Sequence, residues 1–75
     1  MEDYQLRVVE EKRELDDKIE KLDDFISSKD FLKKVSSIQQ DLLIQQLMFM
    51  KNYSMVLHHR IEDFIKQNES KGLDK

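Results

Sequence analysis

Proline and cysteine are absent from this chain, and glycine occurs once, at Gly72. Without cysteine there is no disulfide framework, no zinc–thiolate site and no thiol nucleophile. With no proline and one glycine, the tight turns of a many-stranded sheet lack their usual residues. The opening run MEDYQLRVVEEKRELDD is acidic and has no apolar core, so no secretion signal is expected. No stretch approaches the roughly 18 consecutive apolar residues of a membrane span, and no membrane association is expected. Also missing are a glycine-rich phosphate loop and any Ser-His-Asp or Cys-His grouping. The chain is therefore expected not to be an enzyme and to need no cofactor.

What is present is 39% charged and 39% apolar residues over 75 positions, a mixture too apolar for ordinary disorder. It reads as all-α, one small domain of long helices. The net charge of −3 is unevenly spread. Residues 1–30 carry eleven acids against six bases, a balance of −5, whereas residues 31–75 carry five acids against seven bases, a balance of +2. A duplex DNA or RNA binder wants a basic stripe, which an acidic first helix does not offer. A small anionic ligand held by a few Arg and Lys side chains is still compatible with this balance.

Apolar spacing predicts three helices. The first covers about residues 3–26, with a seam of Val8, Leu15, Ile19, Leu22 and Ile26 that Val9 and Phe25 widen and Lys12 interrupts. Glu14 with Lys18, and Asp17 with Lys21, have the acid-before-base spacing of exposed helix pairs. A short helix is expected over about residues 30–34, capped by Ser27, with Phe31 and Leu32 lidding the hairpin. The long helix covers about residues 37–68, capped by Ser36 with Gln39 or by Ser37 with Gln40, and residues 69–75 form a fraying tail.

The long helix is apolar most of the way round. One stripe holds Leu43, Leu47, Met50, Leu57, Ile61 and Phe64; a second holds Leu42, Phe49, Tyr53 and Val56; a third holds Ile44, Met48 and Met55. A single partner helix covers one stripe. The chain is thus an antiparallel helical hairpin whose spare stripes expect other copies, a homo-oligomer.

Candidate functional residues are few. Adjacent helical residues such as His58 and His59 diverge by about 100°, so they cannot clamp one metal together. They read as surface or interface histidines, and no metal site is expected. Tyr4, ahead of the main seam, fits either packing on a neighbour or lying flat on a ligand. Arg7 is one turn further along the same side. Arg60 on the second stripe pairs with Glu62 or Asp63 of another chain or holds an anion. Gln45, Gln46 and Asn52 satisfy polar contacts or read base edges.

The run YQLRVVEEKRELDDKIEKLDDFI, followed by QQDLLIQQLMFMKNYSMVLHHRI, is similar to a known family. Its RVVEEK.EL..KI.KL..FI and Q..L...QL..M..Y...L..RI rhythms, at this separation, resemble the small anti-CBASS cyclic-oligonucleotide sponge proteins of tailed phages, in the second type described, which includes a T4-type version. The likeness covers about residues 3–64. It implies a homohexamer of helical hairpins that sequesters cyclic di- and trinucleotides, such as 3′,3′-cGAMP and cyclic triadenylate, without cleaving them. That activity would block host CBASS immunity in the cytoplasm of the infected bacterium. By the same resemblance Tyr4 stacks a base, Lys18 or Lys21 clamps phosphate, and Arg60 serves cyclic trinucleotides, while Arg7 sits in the same pattern facing either ligand or partner. The runner-up reading is a helical adaptor or inhibitor that binds a host protein through the exposed stripes.

Overall fold

A computed structural model describes residues 1–73 as three α-helices, α1 (Asp3–Ile26), α2 (Lys29–Lys34) and α3 (Ser37–Leu73). At 1.5 Å per residue, the 24 residues of α1 span about 36 Å and the 37 residues of α3 about 55 Å. α1 lies antiparallel on α3, and α2 turns the corner. From Tyr4 to Asp16 the chain advances twelve residues along α1 while its partner retreats ten along α3, from Phe64 to Ser54. The molecule is a rod of 61 × 16 × 15 Å, and no strand occurs among the described residues.

Each helix end has a local cause. At the start of α1, Gln5 turns back so that its Oε1 accepts the Glu2 N–H at 2.9 Å, which satisfies one of the amides a helix start leaves unpaired. Asp3 suits the positive end of the helix dipole. Between α1 and α2 the outcome differs from the sequence expectation. The residue entering α2 is Ser28 rather than Ser27, and its hydroxyl donates to the Phe25 carbonyl at 2.6 Å, closing α1 instead of capping α2. A serine hydroxyl competes for whichever backbone group is nearest, and here that is the freed carbonyl behind it. α3 starts as one of the two expected ways, with the Gln39 N–H donating to Ser36 Oγ at 3.3 Å. Gln40 is used differently: its Nε2 donates to the carbonyls of Val35 (2.8 Å) and Phe31 (3.4 Å), tying α2 to the start of α3.

Of the two residues expected to lid the hairpin, Phe31 does so. It is buried and meets Phe25 edge to face at 5.9 Å. Leu32 is 73% exposed, because consecutive helical side chains diverge and both cannot face the same seam. At the other end α3 continues to Leu73, beyond the expected boundary at Asn68. Nothing in that segment stops a helix, since Gly72 costs only about 1 kcal/mol in a helix interior. Residues 74–75 of the expected tail lie outside the described residues.

The seam contains the anticipated residues. Val8, Leu15, Leu57 and Phe64 form the core, with Ile19, Met50 and Ile61 packed against it. Where Lys12 interrupts the apolar pattern, the structure builds a polar rung. Lys12 Nζ donates to Asp16 Oδ2 at 2.6 Å, and the Ser54 hydroxyl donates to Asp16 Oδ1 from across the hairpin. Ser54 occupies the helical position between Met50 and Leu57, so one break in each stripe answers the other. The Lys12 ammonium, and after it the Ser54 hydroxyl, hold the Asp16 carboxyl below its ordinary pKa.

Two outcomes follow from this packing. Leu57, 1% exposed, is the most enclosed core side chain, and Leu57→Ala should destabilise the fold by about 2–5 kcal/mol in urea melts at fixed protein concentration. Because the folded-state pKa of Asp16 is depressed, its contribution is complete above the unfolded pKa of about 3.9 and is lost as pH falls through the lower folded value. Melts between about pH 2 and 6 should therefore show a loss of stability on acidification that is shallower in Asp16→Asn; identical pH profiles for the two proteins would contradict the rung.

Candidate functional site

The ends of the rod differ in chemistry. At the end where α1 begins, Tyr4 stands in the first turn of α1 and is 54% exposed. Its ring meets the Phe64 ring edge to face, with centroids 5.7 Å apart and planes at 81°. Its hydroxyl accepts a 3.5 Å hydrogen bond from Gln5 Nε2, and Gln5 is itself buried although polar. The two alternatives for Tyr4, packing and ligand stacking, are thus not exclusive. One edge or face of the ring is held by the fold while half of its surface stays open. Arg60, on α3, places its guanidinium carbon 5.8 Å from the centre of the same Phe64 ring, within cation–π reach. The structure therefore brings Tyr4 and Arg60 together, through a residue that the sequence reading counted only as core.

The cations of α1 divide by whether an acid already holds them. Lys12 is engaged by Asp16, and Arg13 grips Glu10 with contacts of 2.7 and 3.1 Å, a pair that lowers the Glu10 pKa chiefly through Arg13's hydrogen bonds. Lys21 stands 3.2 Å from Asp17 on an open face, as the spacing predicted. The matching Glu14–Lys18 pair does not form. Exposed pairs of this kind are worth only about 0–1 kcal/mol, too little to ensure that each one closes. Among the described residues, Arg7 and Lys18 are the cations of α1's first eighteen residues without a carboxylate within ion-pair distance. Tyr4 and Lys18 are fourteen residues apart on one helix, about 21 Å along its axis. A single protomer does not bring them together.

Two further features lie on α3. His58 Nε2 and His59 Nδ1 both approach Glu62 Oε1, at 3.3 and 3.1 Å, on the exposed surface. One carboxylate thus serves both rings, and among the described residues no group of three or more His, Cys, Asp or Glu side chains is placed to hold a metal ion. The spare stripes are open: Phe49 is 67% exposed, and Leu42, Ile44, Met48, Tyr53, Met55 and Val56 are exposed as well. Leu42, Gln45, Gln46, Phe49, Met50 and Tyr53 line an open groove of about 580 Å³. Gln45, Gln46 and Asn52 are exposed in the single chain, so they are not spent on buried polar contacts within the hairpin. Among the described residues, no helix is long and apolar enough to cross a membrane.

An uncharacterised 7.5 kDa protein from the denB–rIIB intergenic region of Enterobacteria phage T4 is 44% identical over 61 residues, which cover 81% of this chain and 94% of that protein. No solved structure matches. The family model of Sequestin matches residues 2–63, spanning α1, α2 and most of α3, and the chain belongs to the Sequestin family.

Proposed function

We propose that the chain binds and sequesters cyclic di- and trinucleotide second messengers, without cleavage, and so blocks CBASS antiphage immunity in the cytoplasm of an infected bacterium. The observation that carries this reading is membership of the Sequestin family over residues 2–63, joined to a phage T4 relative that aligns along nearly its whole length. The chemistry agrees with it. Sequestration needs a tight site and no bond making or breaking. A site of nanomolar strength requires about −12 kcal/mol, more than one exposed ring or one lysine supplies.

The ligand site in this proposal is composite. A base stacks on the open part of Tyr4 of one protomer, a contact of about 1–3 kcal/mol. The phosphates are held by Lys18 of another protomer, with Arg7 nearby on the side of the Tyr4 turn. Lys18 is preferred to Lys21 because it has no acid to give up first. Arg60 takes cyclic trinucleotides, with a guanidinium whose fork matches phosphate oxygens. The distance of about 21 Å between Tyr4 and Lys18 along α1 supports the need for more than one copy. The open stripes of α3 support the same need from packing. Six copies is the assembly we propose.

Calorimetric titration with 3′,3′-cGAMP and with cyclic triadenylate, followed by recovery of ligand after heat denaturation, tests the function. Tight binding with intact ligand is expected. Tyr4→Ala should weaken the dinucleotide by about 5- to 150-fold, the equivalent of one lost stack. Arg60→Ala should weaken the trinucleotide by about tenfold or more, the equivalent of its charged hydrogen bonds. Absence of heat from both ligands would refute the sponge reading and favour a host-protein partner on the α3 groove. Sedimentation tests the assembly: the unsubstituted protein should run as a hexamer, and Phe49→Glu, which places a charge on the open stripe, should shift it to smaller species. An unsubstituted protein that sediments as a monomer would contradict the composite site.

A further inference from the structure

Phe64 has no ligand role in the preceding account, yet both candidate ligand contacts rest on it. Its ring is 6% exposed and belongs to the core with Val8, Leu15 and Leu57. Tyr4 reaches it from α1, edge to face at 5.7 Å. Arg60 reaches it from one turn earlier on α3, its guanidinium carbon 5.8 Å from the ring centre. The ring thus belongs to the core and also meets an aromatic from one helix and a cation from the other.

Both carried side chains need such a support. A tyrosine in the first turn of a helix has few neighbours, and an exposed arginine has several free torsions. A ligand that stacks on the one or pairs with the other must otherwise order it on binding, and that ordering subtracts from affinity. An edge-to-face contact fixes the plane of the tyrosine ring, and a cation–π contact restrains the guanidinium while leaving its N–H donors free. A buried aliphatic side chain in place of Phe64 would fill the core but offer neither restraint, because it has no ring quadrupole.

We infer that Phe64 is a positioning residue common to the two ligand classes: it pre-orders Tyr4 for base stacking and Arg60 for phosphate contact. The inference rests on the ligand roles proposed above for Tyr4 and Arg60. Its signature is that one substitution, at a side chain that touches neither ligand, weakens both, whereas Tyr4→Ala and Arg60→Ala each weaken mainly one.

The test is Phe64→Leu in the full-length assembled protein, titrated with 3′,3′-cGAMP and with cyclic triadenylate. Both affinities should fall by about 2- to 10-fold, the scale of a lost aromatic or cation–π contact. Ile19→Val, a core change on the same seam but remote from Tyr4 and Arg60, controls for general loosening and should leave both affinities unchanged. A second readout follows Tyr4 directly. The chain has two tyrosines and no tryptophan, so in a Tyr53→Phe background the tyrosine fluorescence anisotropy reports on Tyr4 alone. Phe64→Leu should lower it, and Ile19→Val should not. Should Phe64→Leu fail to fold, Phe64→Met takes its place, and nuclear Overhauser contacts from the Phe64 ring to Tyr4 and Arg60 in the unsubstituted protein test the arrangement without any variant. Unchanged affinities in a folded variant, weakening of one ligand only, or absence of those contacts would overturn the inference. Failure of the unsubstituted protein to bind either ligand would instead overturn the reading on which it stands.

Discussion

The structure depends on an imbalance between two helices. α1 presents one apolar face, about 36 Å long, and α3 presents apolar side chains around most of its circumference over about 55 Å. Burying one stripe of α3 uses all that α1 can offer. The result is a hairpin with a narrow core and a broad open surface, from Leu42 through Phe49 and Tyr53 to Val56. A hydrophobic surface of this extent on so small a protein marks an interaction site. The α3 surface of another copy is the natural one to meet it, because every copy brings the same excess.

Within the hairpin, register is specified by more than hydrophobic area. A seam made of aliphatic side chains alone tolerates sliding by a turn. The rung of Lys12, Asp16 and Ser54 makes a slip costly, since a displaced Asp16 would lose its hydroxyl donor and face Met50 or Leu57 instead of Ser54. Half-burial limits what the rung adds to stability. Its value is in choosing one alignment, and that alignment is what sets Tyr4 opposite Phe64.

How much of this was legible in the sequence varies with the range of the interaction. The helices and the paired stripes could be read because periodicity is local, and Val8, Leu15, Leu57 and Phe64 announce themselves by spacing. Lys12 was visible as a break in one stripe. Its counterpart, Ser54 between Met50 and Leu57, was equally visible, but linking them requires knowing the register of the hairpin. The choice between Ser27 and Ser28 could not be read, because the two hydroxyls are a residue apart and the deciding partner is the Phe25 carbonyl. Buried Gln5 was missed because a glutamine one turn into a helix looks like surface, until its backbone contact to Glu2 and its contact to Tyr4 are seen together. The family resemblance singled out Tyr4 and Arg60 as separate contacts. That they share a ring is a tertiary fact, which neither helix carries alone.

The same imbalance explains how a rod only 16 × 15 Å in cross-section can serve a ligand it cannot surround. Along α1 the exposed aromatic and the unpaired lysine are separated by about 21 Å, and along α3 the arginine stands beside the aromatic rather than beside the lysine. No bending of a packed two-helix hairpin closes that gap. In the proposed assembly, antiparallel or crossed packing of a second copy closes it, by laying the middle of one α1 beside the end of another. On the proposed reading, then, the apolar surplus of α3 and the scattered polar contacts of α1 are two sides of one solution. Association buries the stripes, and the order it imposes on neighbouring copies brings ring and lysine into reach of one small anion and leaves the arginine to serve the second ligand class.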